Sequence, residues 1–394
     1  MVNVYPFKGI RYNIKELDKL ITEPYDKISK EMQRQYYRKS PYNFIRLNLP
    51  DDPDPYTSAK NTIRKWLDTQ IMVKDEEPYY YQYIQNFNLF GKNYQRYGMF
   101  AAVKLEEYSE KKILPHERTF KGPKEDRLKM LRATNIDLEP VFFLYDDPEM
   151  FVKNTFEKGK RELETDVEDN GIRHTIYRMK SEEITKFFEN KKLVIADGHH
   201  RYETALNYAK EMGFAKGTGY IMAVLVNKND PGLVILPSHR VIKDSISPVE
   251  LLEKLKRFFN VTEISTSEVK GFINQDIVYC FKDHAYAIEI KKEYVSKDSL
   301  SQNLNVSYLN NFVFSEILKI KDRETITFER WPDEVWRELE NSNMFAFMVK
   351  PVSTSTVWNV AMKGEIMPEK STDFYPKLIS GLKLLDLNDS ISAN

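Results

Sequence analysis

Apolar runs and changes of period mark the elements along this chain. Residues 5–12 read as a strand that enters a turn. Polar helices are predicted over 30–39 and 56–68, the first preceded by the proline-fixed loop Pro24-Tyr25-Asp26. Pro41-Tyr42-Asn43 leads into an expected strand over 44–49. Aromatic-rich runs at 79–87 and 96–105 meet at Gly91-Lys92-Asn93 and predict a hairpin. A helix is expected over 124–134 and a buried strand over 141–145. Helix, loop and helix follow over 146–188, with a polar break at 164–171.

The clearest change of period lies in 192–213. Leu193, Val194, Ile195 and Ala196 form a run too short for a helix and rich in branched side chains, the mark of a buried strand. Asp197-Gly198 breaks the run. Tyr202, Ala205, Leu206, Ala209 and Met212 then recur at helical spacing, and Gly213 stands where that helix would end. The expected order is strand, tight turn, helix.

Beyond it, 220–226 and 233–242 read as apolar strands separated by the turn sequence NKNDPG. From 247 the chain becomes charged and helical, with Val249, Leu252, Leu255 and Phe258-Phe259 on one apolar face. Strand-like runs at 277–281, 286–290 and 345–350 alternate with helical ones at 306–320 and 353–364. The pattern gives an α/β (α+β) fold in two domains, 1–243 and a smaller 244–394.

Composition narrows the class. The chain has 394 residues, 41% of them apolar and 30% charged, enough for two cores. Lysine plus arginine equals aspartate plus glutamate, 59 each, and this balance argues against a grip on long nucleic acid. The one cysteine, Cys280, lies in a strand-like apolar run, so it reads as a core residue in a reducing compartment. No apolar run is long enough to span a membrane, and residues 1–13 lack a secretory core. A cytoplasmic protein is expected.

The candidate chemistry gathers at the turn. Backbone N–H groups at a helix start are unpaired and face the positive end of the dipole, which suits an anion. Gly198 permits close approach, Arg201 offers a charged fork, and His199 and His200 donate hydrogen bonds or move protons. Asp197 is suited to act as a base, to hold magnesium, or simply to cap the helix. Singly, each residue is served by a structural reading, Arg201 for example pairing with Glu203 or Glu211. Five together at one turn point to a phosphate site with an acid/base group. Glu117 and Glu203 are further candidates for that catalytic role, beside His200. His116, Lys124 and Arg127 lie in a charge-dense segment suited to a polar substrate. His239 and Arg240 interrupt an apolar strand, and Lys370, Ser371 and Thr372 sit in a proline-bounded stretch, 364–377, suited to cover an anionic ligand.

These residues carry resemblances. Gly198-His199-His200-Arg201-Tyr202 resembles the Gly-Cys-His-Arg-Tyr turn of sulfiredoxins, where the His-Arg pair holds ATP phosphates. His199 stands at the cysteine position, which removes sulfiredoxin chemistry. Gly198, His200-Arg201, Ala205 and Gly213 resemble the Gly-x-Arg-Arg-x-x-Ala pattern of ParB-type domains. The Asp-Gly-His-His-Arg turn is also similar to that of free serine kinases in this ParB/sulfiredoxin-like superfamily, which phosphorylate the serine hydroxyl from a nucleotide. Over its length the chain is identified as a member of domain-of-unknown-function family 1015. The supporting motifs are Pro6-Phe7 with Arg11-Tyr12, Pro24-Tyr25-Asp26, Ser40-Pro41-Tyr42-Asn43, Pro115-His116-Glu117-Arg118-Thr119, Lys124-Glu125-Asp126-Arg127, 196–204, 237–240 and 367–377. Asn305 and Asn310 depart from the acidic residue and histidine expected there.

The resemblance implies a ParB/sulfiredoxin-like mixed-sheet core and a nucleotide-dependent phosphotransferase. ATP or ADP with magnesium would be the cofactor and free serine or O-phosphoserine the substrate. Gly198, His199, His200 and Arg201 would hold phosphates, and Asp197 would orient the hydroxyl or hold the magnesium. Two other readings stand beside it. In one, His116, His199, His200, His239 and Asp197 converge on a metal in a phosphatase. In the other, the turn serves a non-enzymatic ParB-like nucleotide switch.

Overall fold

The computed structural model describes residues 2–117, 123–274, 276–320, 325–340 and 344–392. The aromatic hairpin forms as expected, from Tyr80–Leu89 and Lys92–Lys104. Its turn places Phe90 and Gly91 at φ of 52° and 75°, the left-handed region that a tight hairpin needs. Around it the first of two compact units builds a mixed sheet, nine-stranded among the described residues. That unit comprises Met1–Pro115, Thr119–Leu233 and Pro376–Asn394.

At one side of the sheet, Leu193–Asp197 pairs in parallel with Ile113–Leu114 and antiparallel with Val141–Tyr145. Tyr220–Asn227 continues it, parallel to Val141–Tyr145 and antiparallel to the hairpin. The helix His199–Glu211 buries Tyr202, Ala205, Leu206 and Ala209 in the same core as Ile195 and Phe143. A separate four-stranded sheet of the same unit joins Met72–Lys74, Gly9–Tyr12, Leu384–Asp386 and Ile136–Asp137.

The second unit holds His116 and Glu117 together with Val234–Tyr375. Its main sheet is antiparallel and six-stranded among the described residues. Cys280 is fully buried in the strand Ile277–Phe281, and burial pushes its thiol far above the usual range. Among the described residues no helix is long and apolar enough to cross a membrane.

Several elements differ from the sequence reading. Residues 162–179 form a hairpin, Glu162–Asp169 with Ile172–Met179, where a polar break between helices was expected. Its turn is Asn170-Gly171, both at positive φ, a strong hairpin dipeptide. The expected strand over 44–49 is the short helix Ile45–Asn48. The helix after Ser247 stops at Leu255, so Phe259 starts a strand; Leu251 is buried and Val249 is 61% exposed. The strand expected over 233–242 splits at Pro237-Ser238, and its second half, His239–Lys243, pairs inside the second unit. The compact units therefore part at 233/234, and the last residues, from Pro376, return to the first. Residues 364–377 include a strand, Asp373–Tyr375, paired with Val234–Leu236.

Asp137 offers a test of the four-stranded sheet. Its carboxylate accepts the Met222 N–H at 2.8 Å, yet burial pushes its pKa up to about 7. Between pH ~4 and 7 the native state then holds a proton that the unfolded chain has released. Stability from this group falls as pH rises through that window. Urea unfolding of Asp137→Asn across the window should lack this part of the slope, whatever constant cost the amide brings; parallel curves for variant and parent would refute it.

Candidate functional site

The register of Leu193–Asp197 against Val141–Tyr145 slips between Ile195 and Asp197. Such an irregularity re-aims a side chain where a strand ends. Gly198 follows at φ 94°, a conformation open to glycine at little cost. A Cβ on Gly198 would stand 3.0 Å from Nε and Nη2 of Arg201, so the guanidinium lies folded back over the glycine. The helix then starts at His199 with no side-chain cap from Gly198.

Asp197 meets Lys377 Nζ at 3.1 Å. Burial alone would raise its pKa, but Lys377, Arg201 and Lys27 outweigh that and hold the carboxyl well below the usual range. Arg201 donates to the Pro140 carbonyl. Burial works against its charge too, and Glu139, Asp197 and Asp26 more than restore it.

Glu139 is the buried counterpart, 5% exposed. Its Oε1 accepts from the Tyr25 N–H at 3.0 Å, Asn48 Nδ2 at 2.6 Å and Ser380 Oγ at 2.6 Å. One carboxylate oxygen thus ties the Pro24-Tyr25-Asp26 loop, the helix Ile45–Asn48 and the C-terminal segment together. Arg127 lies 4.4 Å over the Tyr25 ring and donates to the Asn48 carbonyl at 3.0 Å. Arg127, Asn48, Asp137, Glu139 and Arg201 line a small cavity of about 40 Å3.

The structure thus gathers Asp197, Gly198, Arg201 and Arg127 in the first unit. It adds Tyr25, Asp26, Lys27 and Glu139, to which the sequence reading gave no site role, and Lys377, the last residue of the stretch read as a cover for an anionic ligand. Pro24-Tyr25-Asp26 was visible there as a fixed loop and Lys377 as the end of a proline-bounded stretch. Glu139 carried no signal beyond its place before Pro140. His199 is buried and His200 half-buried on the first turn of the helix. Glu203 faces Tyr108, whose hydroxyl donates to it at 3.4 Å. The side chain of Lys124, and residues Arg118 and Thr119, lie outside the described residues.

The remaining candidates belong to the second unit. His116 is fully buried, its Nε2 3.1 Å from Thr372 Oγ1. Glu117 accepts the Lys370 N–H at 2.9 Å. Arg240, 2% exposed, donates to the carbonyls of Ser238 and Lys370, and Ser371 donates to that of Pro368. His239 accepts the Val349 N–H at 3.2 Å, and burial, with Arg240 beside it, pulls its pKa down to about 4. Among the described residues no three His, Cys, Asp or Glu side chains group so as to hold a metal ion.

Three solved structures are similar. A variant of a free serine kinase in complex with ADP is 14% identical, covers 74% of this chain and 90% of its own, and has a TM-score of 0.42. A conserved hypothetical protein from Pyrococcus furiosus is 15% identical, covers 72% and 94%, and has a TM-score of 0.40. SbnI with a C-terminal truncation, from Staphylococcus aureus, is 14% identical, covers 73% and 87%, and has a TM-score of 0.41. No curated protein matches the chain. The family model described as a protein of unknown function (DUF1015) matches residues 4–318, and the chain belongs to that family.

Proposed function

We propose that this chain transfers a phosphoryl group between a nucleotide and a small hydroxylated metabolite, with free serine or O-phosphoserine as the substrate. The observation that carries the reading is the ionised carboxylate of Asp197, set at a strand-to-helix turn among Lys377, Arg201 and Lys27. Phosphoryl transfer asks a protein mainly for positioning and for neutralisation of charge on the phosphate oxygens. Lys377 and Arg201 supply cations, and the N–H groups of the first helical turn supply donors. The choice of serine rests on the resemblance of the Asp-Gly-His-His-Arg turn to free serine kinases.

The depressed pKa of Asp197 favours some of the roles open to it over others. A carboxylate that holds protons so weakly makes a poor store for one. It serves instead as an acceptor that orients the substrate hydroxyl, or as a ligand to magnesium. Magnesium is commonly held by one or two carboxylates together with substrate phosphates, so a lone aspartate beside a phosphate site suits it. Bound there, the ion would neutralise phosphate charge. His199 and His200, on the first turn of the helix, would donate to phosphate oxygens beside Arg201.

Phosphorus NMR of the purified protein with magnesium tests this. Separate samples hold serine with ATP, serine with ADP, and O-phosphoserine with AMP or ADP. Phosphate should move between nucleotide and serine in at least one sample. Arg201→Ala and Asp197→Asn should each slow transfer by about 100- to 1000-fold. Nucleotide binding without transfer to any hydroxyl compound would sink the reading. Free phosphate from O-phosphoserine without nucleotide would favour a hydrolase.

Gly198→Ala tests the turn itself. A methyl group there meets both the left-handed backbone and the Arg201 guanidinium. Stability should fall by about 1–2 kcal/mol, and transfer should fall along with Arg201 placement. A variant as active and as stable as the parent would show that Arg201 does not need its place over Gly198.

A further inference from the structure

The segment Pro376–Asn394 belongs to the first unit although Val234–Tyr375, which precedes it, belongs to the second. It meets the site twice, through Lys377 on Asp197 and through Ser380 on Glu139. Its backbone is gripped on either side of Lys377. Arg96, 1% exposed, donates to the Pro376 carbonyl at 2.6 Å, and Gln85 donates to the Lys377 carbonyl at 3.2 Å. Ser380 and Thr22 exchange backbone hydrogen bonds at 2.8 and 3.2 Å.

Beyond these contacts lies a charged group that the proposed reaction does not use. The side chain of Lys383 has no exposed surface. Its ammonium pairs with Glu164, stands 3.8 Å from Asp75 and lies 4.0 Å over the Tyr81 ring. Both carboxylates are nearly as buried, at 4% and 2% exposure of their side chains. Asp75 also accepts from Tyr81 Oη at 2.7 Å and pairs with Arg178 at 3.3 Å, while Glu164 pairs with Arg11 at 3.1 Å. An ammonium taken from water without partners carries a heavy desolvation penalty. Removing one partner of such a pair strands the other. The cluster therefore accepts the C-terminal segment in one register, and sliding by a residue would bury a charge unpaired.

We propose that Lys383 is a positioning residue: by seating in the Asp75–Glu164 cluster it fixes the register of the C-terminal segment, and so sets Lys377 on Asp197 and Ser380 on Glu139. It touches no substrate and acts through Lys377. Its kinetic consequence rests on the phosphotransfer reading; its structural consequence does not.

The test uses the full chain and the variants Lys383→Met, Lys377→Met and the double variant. Amide hydrogen exchange over residues 377–387 is the arm that needs no activity. Lys383→Met should speed exchange there by about tenfold or more, and Lys377→Met should leave it near the parent rate. In the transfer assay Lys383→Met should lower kcat by at least about tenfold, and the double variant should be no slower than Lys377→Met alone. A merely structural role would multiply the two losses instead, and that result would overturn the proposal, as would unchanged exchange. Should Lys383→Met fail to fold, Lys383→Met with Glu164→Gln replaces it, since it removes the carboxylate nearest the lysine while Asp75 keeps Arg178. A parent that transfers nothing while Lys383→Met loosens 377–387 rejects the phosphotransfer reading and upholds the anchor.

Discussion

Asp197 and Lys377 stand 3.1 Å apart although they are 180 positions apart in sequence. Neither is placed to be stable alone. Their side chains are 33% and 14% exposed, and each partly withdrawn charge is stabilised by the other. The strand-to-helix turn and the C-terminal segment are thus required together. Arg201 depends in turn on Glu139, and Glu139 on donors from the Tyr25 loop, from Asn48 and from Ser380. The candidate site is a closed chain of charge and hydrogen bonding, in which each ionised group is held by a segment distant in sequence.

That closure explains what the sequence showed and what it hid. The strand, turn and helix over 193–211 were legible because their signals are local: a branched apolar run, Asp-Gly, then helical spacing. The hairpin 80–104 was legible for the same reason. The hairpin 162–179 was not, because Glu162–Asp169 is a sheet-edge strand and its exposed positions are mostly acidic. Its Asn170-Gly171 turn was the available cue. The helix ending at Leu255 was overrun because Phe258-Phe259 prolonged its apolar rhythm, although Phe258 lies in the turn and Phe259 begins the next strand. At the site, the five contiguous turn residues announced themselves. Lys27 and Glu139 did not, since a lysine or glutamate in a polar stretch looks the same whether it faces water or a buried partner; Lys377 showed only as one of the lysines in the stretch 364–377. Likewise the apolar residues on both sides of Pro237-Ser238 made 233–242 read as one strand and concealed the point where the chain leaves one compact unit for the other.

Glu139 and Asp197 both serve Arg201, with Asp26 beside them, and their surroundings divide the labour between the first two. Glu139 is almost wholly buried and gives one oxygen to three donors, so it is spent on structure. Asp197 is partly exposed and accepts a hydrogen bond from the Lys377 ammonium, so of the two it is the one open to a ligand. The electrostatics point the same way. The neighbours that lower the pKa of Asp197 include Arg201, and those that raise the pKa of Arg201 include Asp197. Both groups therefore stay charged throughout the neutral range. The Asp197–Arg201 pair does not switch with pH near neutrality. On the phosphotransfer reading proposed above, it would select by charge, its cation and the helix-start donors serving a phosphate donor and its carboxylate serving a hydroxyl or a metal ion.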